Sequence, residues 1–578
     1  MVVLGERCAA ALSKALGPEW AGADPLLRVA EQPRFGDYQA NAAMGLGRAL
    51  GRPSREVAAA VAASLELDGI CAPPEVAGPG FINLRLEDGW LATQAGALLG
   101  DERLGVAPDP APETIVVEYS APNLAKELHV GHLRSTVIGD ALARLLGSLG
   151  HHVIRRNHVG DWGTPFGMLI EHLRDLGDRD AVTALSLGDF TVFYRQARAK
   201  FDSDPAFADR ARARVVALQG GDPATLALWR LLVDQSRRYF DAAYRRLGVL
   251  LTDAEIQGES TYNPLLGEVV AELEARGLTT VSDGALCVFP PGFSGRDGQP
   301  LPVMVRKRDG GYGYDTTDLA ALRHRVRDLG ADRLVYVVGA PQALHFQLLF
   351  AVARQAGWLA DPRPAAEHVV VGSVLGEDSR ILRTRAGRSV TLASLLDEAV
   401  ERASAIVAAR SDLDPAARAE VAHAVGIGAV KYADLAGDRA KDYVFSFDRM
   451  LAMDGNTGPY LQYAIARIRS ILRRAEVDPA SLAGAAIRLD TPDERALALT
   501  LLRFDGAVRT AASLREPHRL CTYLFDLAQK FTAFYQRCPV LKAQPAGLRD
   551  SRLALCDLSA RVLTQGLALL GIQAPERM

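Results

Sequence analysis

The first part of the chain mixes helical and strand-like patterns over short stretches. Apolar residues recur every three or four positions at residues 3–16 and 54–65, which predicts two helices. They alternate with polar residues at 80–86, which predicts a strand. Prolines at 108, 110 and 112 predict a linker. We therefore expect an α+β N-terminal domain over residues 1–108.

Beyond the linker the pattern changes to buried strands that alternate with helices. Residues 114–119 form a β-branched run, an amphipathic helix follows at about 133–149, and residues 152–157 form a second strand. Strand, helix and strand in this order predict a parallel sheet with a right-handed crossover. Further strands are predicted at 333–338 and 368–372, and helices at 317–329 and 341–356. This α/β domain spans residues 109–393.

Two stretches are mostly helical. Residues at about 175–290 lie between the predicted strands of the sheet, so they form an insertion, which ends in a strand near 285–289. From residue 394 to 578 the leucine and alanine periodicity continues almost without interruption. We expect this last region to be an α-helical bundle.

Composition places the chain among intracellular globular proteins. Its 578 residues are 49% hydrophobic, yet no apolar run reaches the ~18 residues that a bilayer crossing needs. No secretory or lipidation signal is recognisable, so we expect a cytoplasmic protein without a membrane partner. The formal net charge of −3 does not point to nucleic acid, although a local basic face could still bind RNA.

The cysteines do not form a metal-binding pattern. None of the six belongs to a Cys-x-x-Cys pair, so no structural zinc is expected. Scattered cysteines in an intracellular chain are mostly small buried apolar residues. We interpret all six in this way: Cys8, Cys71, Cys287, Cys521, Cys538 and Cys556.

The most distinctive short motif is His129-Val130-Gly131-His132, where the first strand's loop meets its helix. Ligands of open α/β sheets bind beyond the carboxyl ends of the strands. A helix N-terminus attracts phosphate, Gly131 allows close approach, and the two histidines can face the same phosphates. A metal-binding pair is an alternative, but no third ligand stands at suitable spacing, and a simple helix cap is another.

This motif belongs to a longer block that identifies a family. VEYSAPNLAKEL precedes it at 117–128, LRSTVIGD follows at 133–140, and NHVGDWGT stands at 157–164. The block resembles the signature of class I aminoacyl-tRNA synthetases, in the form found in arginyl-tRNA synthetases. The resemblance implies a Rossmann-like catalytic domain. It also implies that L-arginine is activated with ATP and Mg²⁺ and passed to the 2′-OH of tRNA(Arg), without an organic cofactor.

The resemblance also implies a second nucleotide-binding loop, at about residues 376–387. The first lysine of the family's pattern falls on Ile381, which is a departure. Arg380, Arg383 and Arg385 can replace it in binding ATP phosphates, because guanidinium groups bind them well, although a generic basic turn is nearly as good an interpretation. In family members without that lysine, one before the histidine motif compensates, and Lys126 stands there, unless it is only a solvated loop residue. His129, His132 and Lys126 are the expected catalytic residues.

An arginine pocket needs carboxylates that fork onto the guanidinium group and an aromatic face beside it. Tyr314 and Asp318 are four residues apart at the start of a helix, so they share one face. The family pattern places Glu118, Asn123 and Gln342 with them. Proline stands at 341 where the family has aspartate. Taken singly, Asp318 would be a first-turn acid and Tyr314 a core aromatic.

The terminal regions resemble the RNA-binding parts of the same family. DGNTGPYLQYAIARI at 454–468 is similar to its anticodon-binding domain, with the expected RNA contacts Tyr460, Tyr463 and Arg467, beside Arg469. Aromatic rings and guanidinium planes stack on RNA bases, but plain helix packing is an equal alternative for Tyr463. Residues 35–41 and 78–83 resemble the added domain that contacts the tRNA corner, which implicates Tyr38 and Asn83.

The sequence thus predicts an arginyl-tRNA synthetase whose partners are tRNA(Arg), L-arginine and ATP, acting as a monomer. Arginyl-tRNA synthetases typically activate arginine only with tRNA bound, and we expect this coupling here. Three alternatives remain: another adenylate-forming enzyme of class I-like fold that acts without tRNA, a catalytically inactive RNA-binding paralogue, and a specialised second copy. The C-terminal helical region argues against the first. The isoleucine at 381 keeps the second open, although the retained histidines and pocket residues argue against it.

Overall fold

A computed structural model describes residues 2–124, 128–186, 190–382, 390–409 and 413–578. The N-terminal region contains four helices and an antiparallel sheet of strand order β1-β2-β4-β3. Its elements are α1 Val2–Leu16, β1 Leu27–Val29, β2 Tyr38–Ala40, α2 Ala43–Leu50, α3 Ser54–Ser64, β3 Glu75–Ala77, β4 Phe81–Leu84 and α4 Asp88–Ala97.

The central region contains a five-stranded sheet that is parallel throughout, of order β12-β11-β5-β6-β7. Its first elements are β5 Thr114–Glu118, α5 Val130–Ser148, β6 His152–Val159, α6 Thr164–Ser186, α7 Phe190–Ser203, α8 Pro205–Gln219, α9 Pro223–Leu247 and β7 Ile256–Gly258. The rest are α10 Leu266–Ala275, β8 Thr279–Ser282, β9 Ala285–Val288, β10 Val303–Arg306, α11 Tyr314–Arg327, β11 Arg333–Gly339, α12 Ala343–Gln355, β12 Ala365–Val371 and β13 Val374–Leu375. The predicted Rossmann-like α/β fold is confirmed.

The sheet is buried on both faces, as a parallel sheet covered by crossover helices must be. Alternate residues of β5 enter two different cores: Ile115 and Val117 pack with α5, whereas Val116 packs with α10, α11 and α12. This explains the continuous apolar run in the sequence. It also leaves the carboxyl ends of the strands as the edge at which polar residues accumulate.

The C-terminal region is helical, with one two-stranded pairing between β13 and β14. Its elements are α13 Leu392–Ala408, α14 Pro415–Leu435, β14 Tyr443–Val444, α15 Phe447–Met450, α16 Gly458–Ala475, α17 Pro492–Leu501, α18 Phe504–Ser513, α19 His518–Arg537 and α20 Ala546–Leu569. Arg495 of α17 joins it to the N-terminal region by pairing with Asp37 at 2.8 Å and with Asp88 at 2.6 Å.

The expected helices and strands are found with small shifts and two larger differences. The stretch expected to be a helical insertion contains β7, which is an edge strand of the main sheet. The strand expected near 285–289 is β9, the middle strand of a separate antiparallel sheet with β8 and β10. Strands of three or four residues are too short to give a clear period. Within the described residues, none of the helices combines the length and apolar character that a membrane crossing requires.

Candidate active site

The carboxyl ends of the five parallel strands bring together segments that are far apart in the chain. Glu118 ends β5, His158 is near the end of β6, Glu259 follows β7, and Gln342 follows β11. Because the strands are parallel and in register, these ends meet at one edge of the sheet. The site is therefore assembled by the fold from one or two residues per strand.

The chain leaves β5 through two residues with left-handed backbone conformations, Ser120 at φ 70° and Ala121 at φ 45°. Non-glycine residues adopt such angles only where the surroundings hold them. Here the Asn157 Oδ1 accepts from the Ala121 N–H at 3.0 Å, and the Ser120 hydroxyl lies 2.8 Å from the Tyr244 hydroxyl. A buried polar network thus fixes the turn that carries the next residues into the site.

Asn123 is exposed at the site, and its side chain lies directly against the backbone of Gly160. Asn123 and Gly160 form a parallel bridge, and the Leu124 N–H donates to the Gly160 oxygen at 3.0 Å. A Cβ at Gly160 would overlap the Asn123 Oδ1. The glycine of the NHVG segment is therefore required by the approach of the asparagine side chain.

The histidine motif caps α5. His129 is the N-cap residue, and its Nδ1 accepts from the Gly131 N–H at 3.0 Å, while the His132 Nδ1 accepts from the His129 N–H at 3.2 Å. The two ring centroids are 4.0 Å apart. A neutral imidazole whose Nδ1 accepts a hydrogen bond carries its proton on Nε2. Both rings thus present an N–H donor at the positive end of a helix.

Gly131 allows this arrangement. A Cβ at this position would lie 2.7 Å from the His129 Cε1, so any side chain would push the ring away from its capping position. The helix-cap interpretation and the phosphate-site interpretation of the motif are therefore compatible, since the cap orients the donors.

A later segment is bonded to the motif. The Val130 N–H donates to the Val390 oxygen at 3.0 Å, and the Leu392 N–H donates to the Leu128 oxygen at 2.9 Å. His129 and Thr391 form the antiparallel bridge between these two bonds. The chain that leaves the second loop thus returns to the start of α5.

The second loop begins as a tight turn after β13. Leu375 and Ile381 form an antiparallel bridge, and the Gly376 N–H donates to the Arg380 oxygen at 2.7 Å. Arg380 is exposed, and Ile381 is 58% exposed. Lys126, Arg383 and Arg385 lie outside the described residues.

Glu118, at the end of β5, is buried and forms an ion pair with Arg325. Its Oε2 is 2.5 Å from the Arg325 Nη2, and both side chains are buried, at 7% and 1% exposure. The Arg325 guanidinium also stacks on the Tyr336 ring, 5.3 Å from its centroid. Glu118 therefore carries a counter-charge on one side before any ligand binds.

Asp318 is the centre of a cluster of charged and titratable groups. Its Oδ2 is 2.7 Å from the His345 Nε2, and its Oδ1 is 3.5 Å from the His158 Nε2. Asp315 lies 3.3 Å from the His345 Nδ1. Burial lowers the pKa of His345, but the hydrogen bonds with Asp315 and Asp318 outweigh it and raise that pKa to about 9. The protonated imidazole of His345 is thus paired with the carboxylates of Asp315 and Asp318 in the ligand-free protein.

Glu259 is a member of this cluster that the sequence did not reveal. Burial, together with the charges of Asp318 and Asp161, raises its pKa to about 7. Asp161 holds this segment in place by accepting from the Ser260 N–H at 2.9 Å and from its hydroxyl at 2.6 Å. The only signal in the sequence was an acid directly after a glycine, inside a segment predicted to be helical.

The remaining predicted pocket residues lie at the open side. Tyr314 is 66% exposed, with its ring centroid 5.2 Å from that of His345. Gln342 is the exposed N-cap residue of α12, one position after the proline at 341. A cavity of about 280 Å³ opens between Tyr314, Asp315, His345 and the start of α12. Among the described residues, no three His, Cys, Asp or Glu side chains are grouped as a metal site.

The C-terminal helices present a separate candidate surface. Tyr463 is 43% exposed on α16, and the Arg467 guanidinium lies 4.9 Å from the ring centroid of Tyr535. Tyr460 is half-buried and packs edge-on against Phe525, with ring centroids 5.6 Å apart. Stacking groups are therefore exposed along one helix.

Tyr38 and Asn83 do not belong to a comparable surface. Tyr38 is 3% exposed and packs under the Arg503 guanidinium, at 5.5 Å, whereas Asn83 is 6% exposed and accepts from the Gln39 Nε2 at 2.7 Å. This burial argues against the expected direct contact with RNA. The motif that contains them joins the N-terminal region to Arg495 of α17 and to Arg503, just before α18.

Three family models match successive parts of the chain. Residues 3–86 match a family described as the arginyl tRNA synthetase N-terminal domain, residues 95–447 match the catalytic domain of class I tRNA synthetases (R), and residues 461–578 match the DALR anticodon-binding domain. The catalytic match extends past residue 393 and includes α13 and α14.

Similar proteins share this arrangement over their whole length. An arginine–tRNA ligase of Thermobifida fusca is 58% identical over 577 residues, which cover 100% of this chain and 99% of the relative. One from a Synechococcus strain is 50% identical, with the same coverage. The crystal structure of arginyl-tRNA synthetase from Plasmodium falciparum superposes with a TM-score of 0.84 at 28% identity, covering 100% of this chain and 99% of that one. The Thermus thermophilus enzyme gives 0.81 at 28% identity, covering 100% of both chains.

Proposed function

The chain belongs to the class I arginyl-tRNA synthetases, and we infer its function from that family. It activates L-arginine with ATP to arginyl-adenylate and transfers the arginyl group to the 2′-OH of the terminal adenosine of tRNA(Arg). The observation that carries this conclusion is the combination of two sites at one sheet edge. A helix N-terminus with two imidazole donors suits phosphate, and a cluster of partly buried carboxylates suits guanidinium.

For the nucleotide end, we propose that His129 and His132 donate from their Nε2 atoms to the phosphates of ATP. The capping hydrogen bonds on both Nδ1 atoms support this tautomer. Gly131 leaves room for the nucleotide, and Arg380 adds a positive charge from the second loop. Lys126, Arg383 and Arg385 keep the same proposed role, and Mg²⁺ accompanies ATP as part of the substrate.

For the amino-acid end, we propose that the guanidinium group binds Asp318 and Glu259, with Glu118 below it and the Tyr314 ring beside it. The perturbed pKa values of Glu259 and His345 support this assignment, because they report negative charge held in a partly buried place. Asn123 and Gln342 then hold the α-amino and carboxylate ends of arginine. Arginine displaces the protonated His345 from Asp318 when it binds.

The chemistry follows from holding the two substrates in line. The arginine carboxylate oxygen attacks the α-phosphorus of ATP, a new P–O bond forms, and the bond to pyrophosphate breaks. His129, His132 and Lys126 stabilise the charge that builds on the phosphate oxygens, which is electrostatic rather than acid–base catalysis. In the second step the 2′-OH of the tRNA attacks the carbonyl carbon of the adenylate, and AMP leaves.

For RNA, we propose that Tyr460, Tyr463 and Arg467 bind the anticodon loop, as part of a helical domain at 394–578. The exposed Tyr463 and the stacked Arg467–Tyr535 pair support this surface. The N-terminal domain at 1–108 contacts the tRNA corner with residues other than the buried Tyr38 and Asn83. Residues 109–393 form the catalytic domain between them.

We further propose a cytoplasmic monomer. The six cysteines are all buried and unpaired, which suits a reducing compartment. The exposed large apolar side chains of the described residues are spread over all regions rather than gathered in one patch. Size-exclusion chromatography with light scattering measures the mass directly, and 62.1 kDa is expected for one chain.

The direct test is arginine-dependent exchange between ATP and pyrophosphate, with and without tRNA that bears an arginine anticodon. Exchange that requires tRNA is expected. Exchange without tRNA keeps the arginine pocket but removes the coupling between domains. If neither condition gives exchange while tRNA still binds, the chain is an inactive paralogue, and Ile381→Lys becomes the first variant to examine.

A further inference from the structure

Two buried ion pairs join the helix of the histidine motif to the C-terminal helices. The first pair is Arg134 of α5 and Asp434 of α14, with Nε and Oδ1 2.8 Å apart and side chains 2% and 0% exposed. The second is Asp140 of α5 and Lys431 of α14, at 4.0 Å and with 0% and 1% exposure. The charges are reversed between the two pairs, so α14 can meet α5 in only one register.

Buried ion pairs of this kind contribute little to the free energy of unfolding. The desolvation of two buried charges offsets much of their attraction, and apolar residues of similar volume often serve as well. The best-attested use of buried charges is to fix register and specificity. The two pairs therefore point to a requirement for a defined position of α5 against α14.

Arg134 reaches beyond its carboxylate partner to the segment that pairs with β13, the strand directly before the second nucleotide loop. Its Nη1 donates to the Lys441 oxygen at 2.7 Å, and its guanidinium lies 5.1 Å from the Tyr443 ring centroid. Tyr443 pairs with Val374 in the β13–β14 ladder. The turn at residues 376–382 follows β13 directly, so one guanidinium group supports both nucleotide-binding elements.

Asp140 and Lys431 also bind the end of α9 and the segment after α20. Asp140 accepts from the Leu250 N–H at 2.6 Å and from the Arg144 Nε at 2.8 Å. Lys431 donates to the Leu247 oxygen at 2.9 Å and to the Gly571 oxygen at 2.5 Å. The end of α9 and the segment after α20 therefore meet at this pair.

On its other side α14 packs against the helix with the proposed RNA surface. The Tyr432 hydroxyl donates to the Asn456 Oδ1 at 2.6 Å, just before α16 begins. The Gln462 Nε2 of α16 donates to the Ala424 oxygen at 3.0 Å and to the Gln573 oxygen at 2.7 Å. Gln462 is the immediate neighbour of Tyr463 in α16. One face of α14 therefore contacts the helix with the proposed RNA surface, and the other contacts α5, which begins at the active site.

We propose that Asp434 and Lys431 are positioning residues that couple RNA binding on α16 to adenylate formation, acting through Arg134 and Asp140 on α5. This rests on the proposed function. RNA bound to α16 fixes α14, and the reversed ion pairs then hold His129, His132 and the 376–382 turn in the geometry that adenylation needs. Buried charges suit this task, because a helix shift that separates them leaves charge unpaired, which favours discrete positions.

The first test is Asp434→Asn, which keeps the shape and the acceptor atom but removes the charge. Coupling between sites typically changes a response 5- to 150-fold, so we expect the tRNA-stimulated exchange rate at saturating substrates to fall about tenfold or more. The arginine KM and the tRNA dissociation constant should stay near the wild-type values. A merely structural pair would not separate these quantities.

Glu494→Gln is the matched control. Glu494 and Arg552 form a buried pair of the same kind, 2.7 Å apart with 0% and 8% exposure, between α17 and α20. Their other hydrogen bonds go to Thr491 and Pro539, and not to α5 or α14. It should lose thermal stability without losing stimulation by tRNA. An equal loss of stimulation in Asp434→Asn and Glu494→Gln overturns the proposal, because the effect would then come from a weakened helical region.

A second variant covers the case in which Asp434→Asn does not fold. The double change Asp140→Asn with Lys431→Met replaces the other pair with neutral residues of similar size, so neither of its two buried charges is left behind. The Arg144 guanidinium, which also bonds to Asp140, is 22% exposed and therefore reaches solvent. It should also lose tRNA stimulation. Wild-type stimulation in this variant, or wild-type exchange that is independent of tRNA, overturns the coupling. A wild-type protein without any exchange overturns the proposed function itself.

Discussion

The proposed active site has one end for phosphate and one for guanidinium, and the two ends present binding groups of opposite charge by different means. The phosphate end uses backbone N–H groups, a helix dipole and two neutral imidazoles, which come from four consecutive residues, 129–132. The guanidinium end uses carboxylates and histidines from β5, β6, α11, α12 and the segment after β7. An anion can be bound by backbone donors, which every helix start supplies. A cation needs side-chain carboxylates, and these must be gathered from several elements and kept partly dry.

The difference has an electrostatic consequence. The capped helix start presents its donors without cost to its own residues, whereas the carboxylates are partly buried and repel one another. Burial, together with the charges of Asp318 and Asp161, raises the pKa of Glu259 to about 7. The pairing of His345 with two aspartates holds the cluster together in the ligand-free protein. Variants at the two ends should therefore fail in different kinetic parameters.

The largest effect is expected from Asp318→Asn at the guanidinium end. The Asp318 side chain is 26% exposed in the free protein and is covered once arginine binds. Loss of a hydrogen-bonded charge from a covered ion pair costs several kcal/mol, so kcat/KM for arginine should fall roughly a thousandfold, mainly through KM. Steady-state exchange at varied arginine measures this. Asp328→Asn, at the exposed end of the same helix, should behave as wild type. A loss confined to kcat would contradict the pocket assignment.

His132→Ala should produce the opposite pattern at the phosphate end. Removal of one donor to developing charge typically lowers kcat about a hundredfold, while the arginine KM should hardly change. Single-turnover adenylate formation separates the two quantities. His152→Ala, at the exposed start of β6, serves as the histidine control. Equal losses in rate and in arginine affinity would remove the distinction between the two ends.

Glu259→Gln tests the residue that only the fold reveals. A hydrogen bond to a charged group contributes about 1.5–3 kcal/mol, so the arginine KM should rise roughly tenfold at pH 8. The wild-type carboxyl loses its proton as the pH rises through about 7, so the difference should shrink at pH 6. Glu268→Gln, with a 63% exposed side chain, is the comparison variant. A pH-independent ratio would show that the charge of Glu259 does not act on arginine.

The smallest effect is expected from His345→Gln, and it is seen in pH dependence. The pKa of His345 is raised from 6.5 to about 9, so its contribution to stability is complete below pH 6.5 and is lost as the pH rises through 9. The same proton loss frees the carboxylates, so the wild-type arginine KM should decrease over that range. Thermal melts and exchange assays at several pH values should show flatter profiles in the variant. Identical profiles would mean that the ring does not compete with arginine.

The fold could be predicted from the sequence where patterns are long and local. The run 114–119, the helix after it and the strand at 152–157 lie within one contiguous stretch, and the crossover rule converts them into a parallel sheet. The histidine motif is also local, because a cap and its helix are neighbours in sequence. The shift of the helix start from about 133 to Val130 follows from the cap, since His129 satisfies the first free N–H groups.

The sequence by itself thus determined the region types, the position of the histidine motif at a helix start and, through similarity of motifs, the family. Tertiary structure alone decided which acids gather around Asp318, because Glu259 comes near it only when β7 joins the edge of the sheet. It also decided that Tyr38 is buried, with its ring packed under the guanidinium of Arg503, which lies more than 400 positions away in the chain. Likewise, Arg134 and Asp434 are separated by 300 positions, and no local pattern can report a pair that forms only when two helices pack.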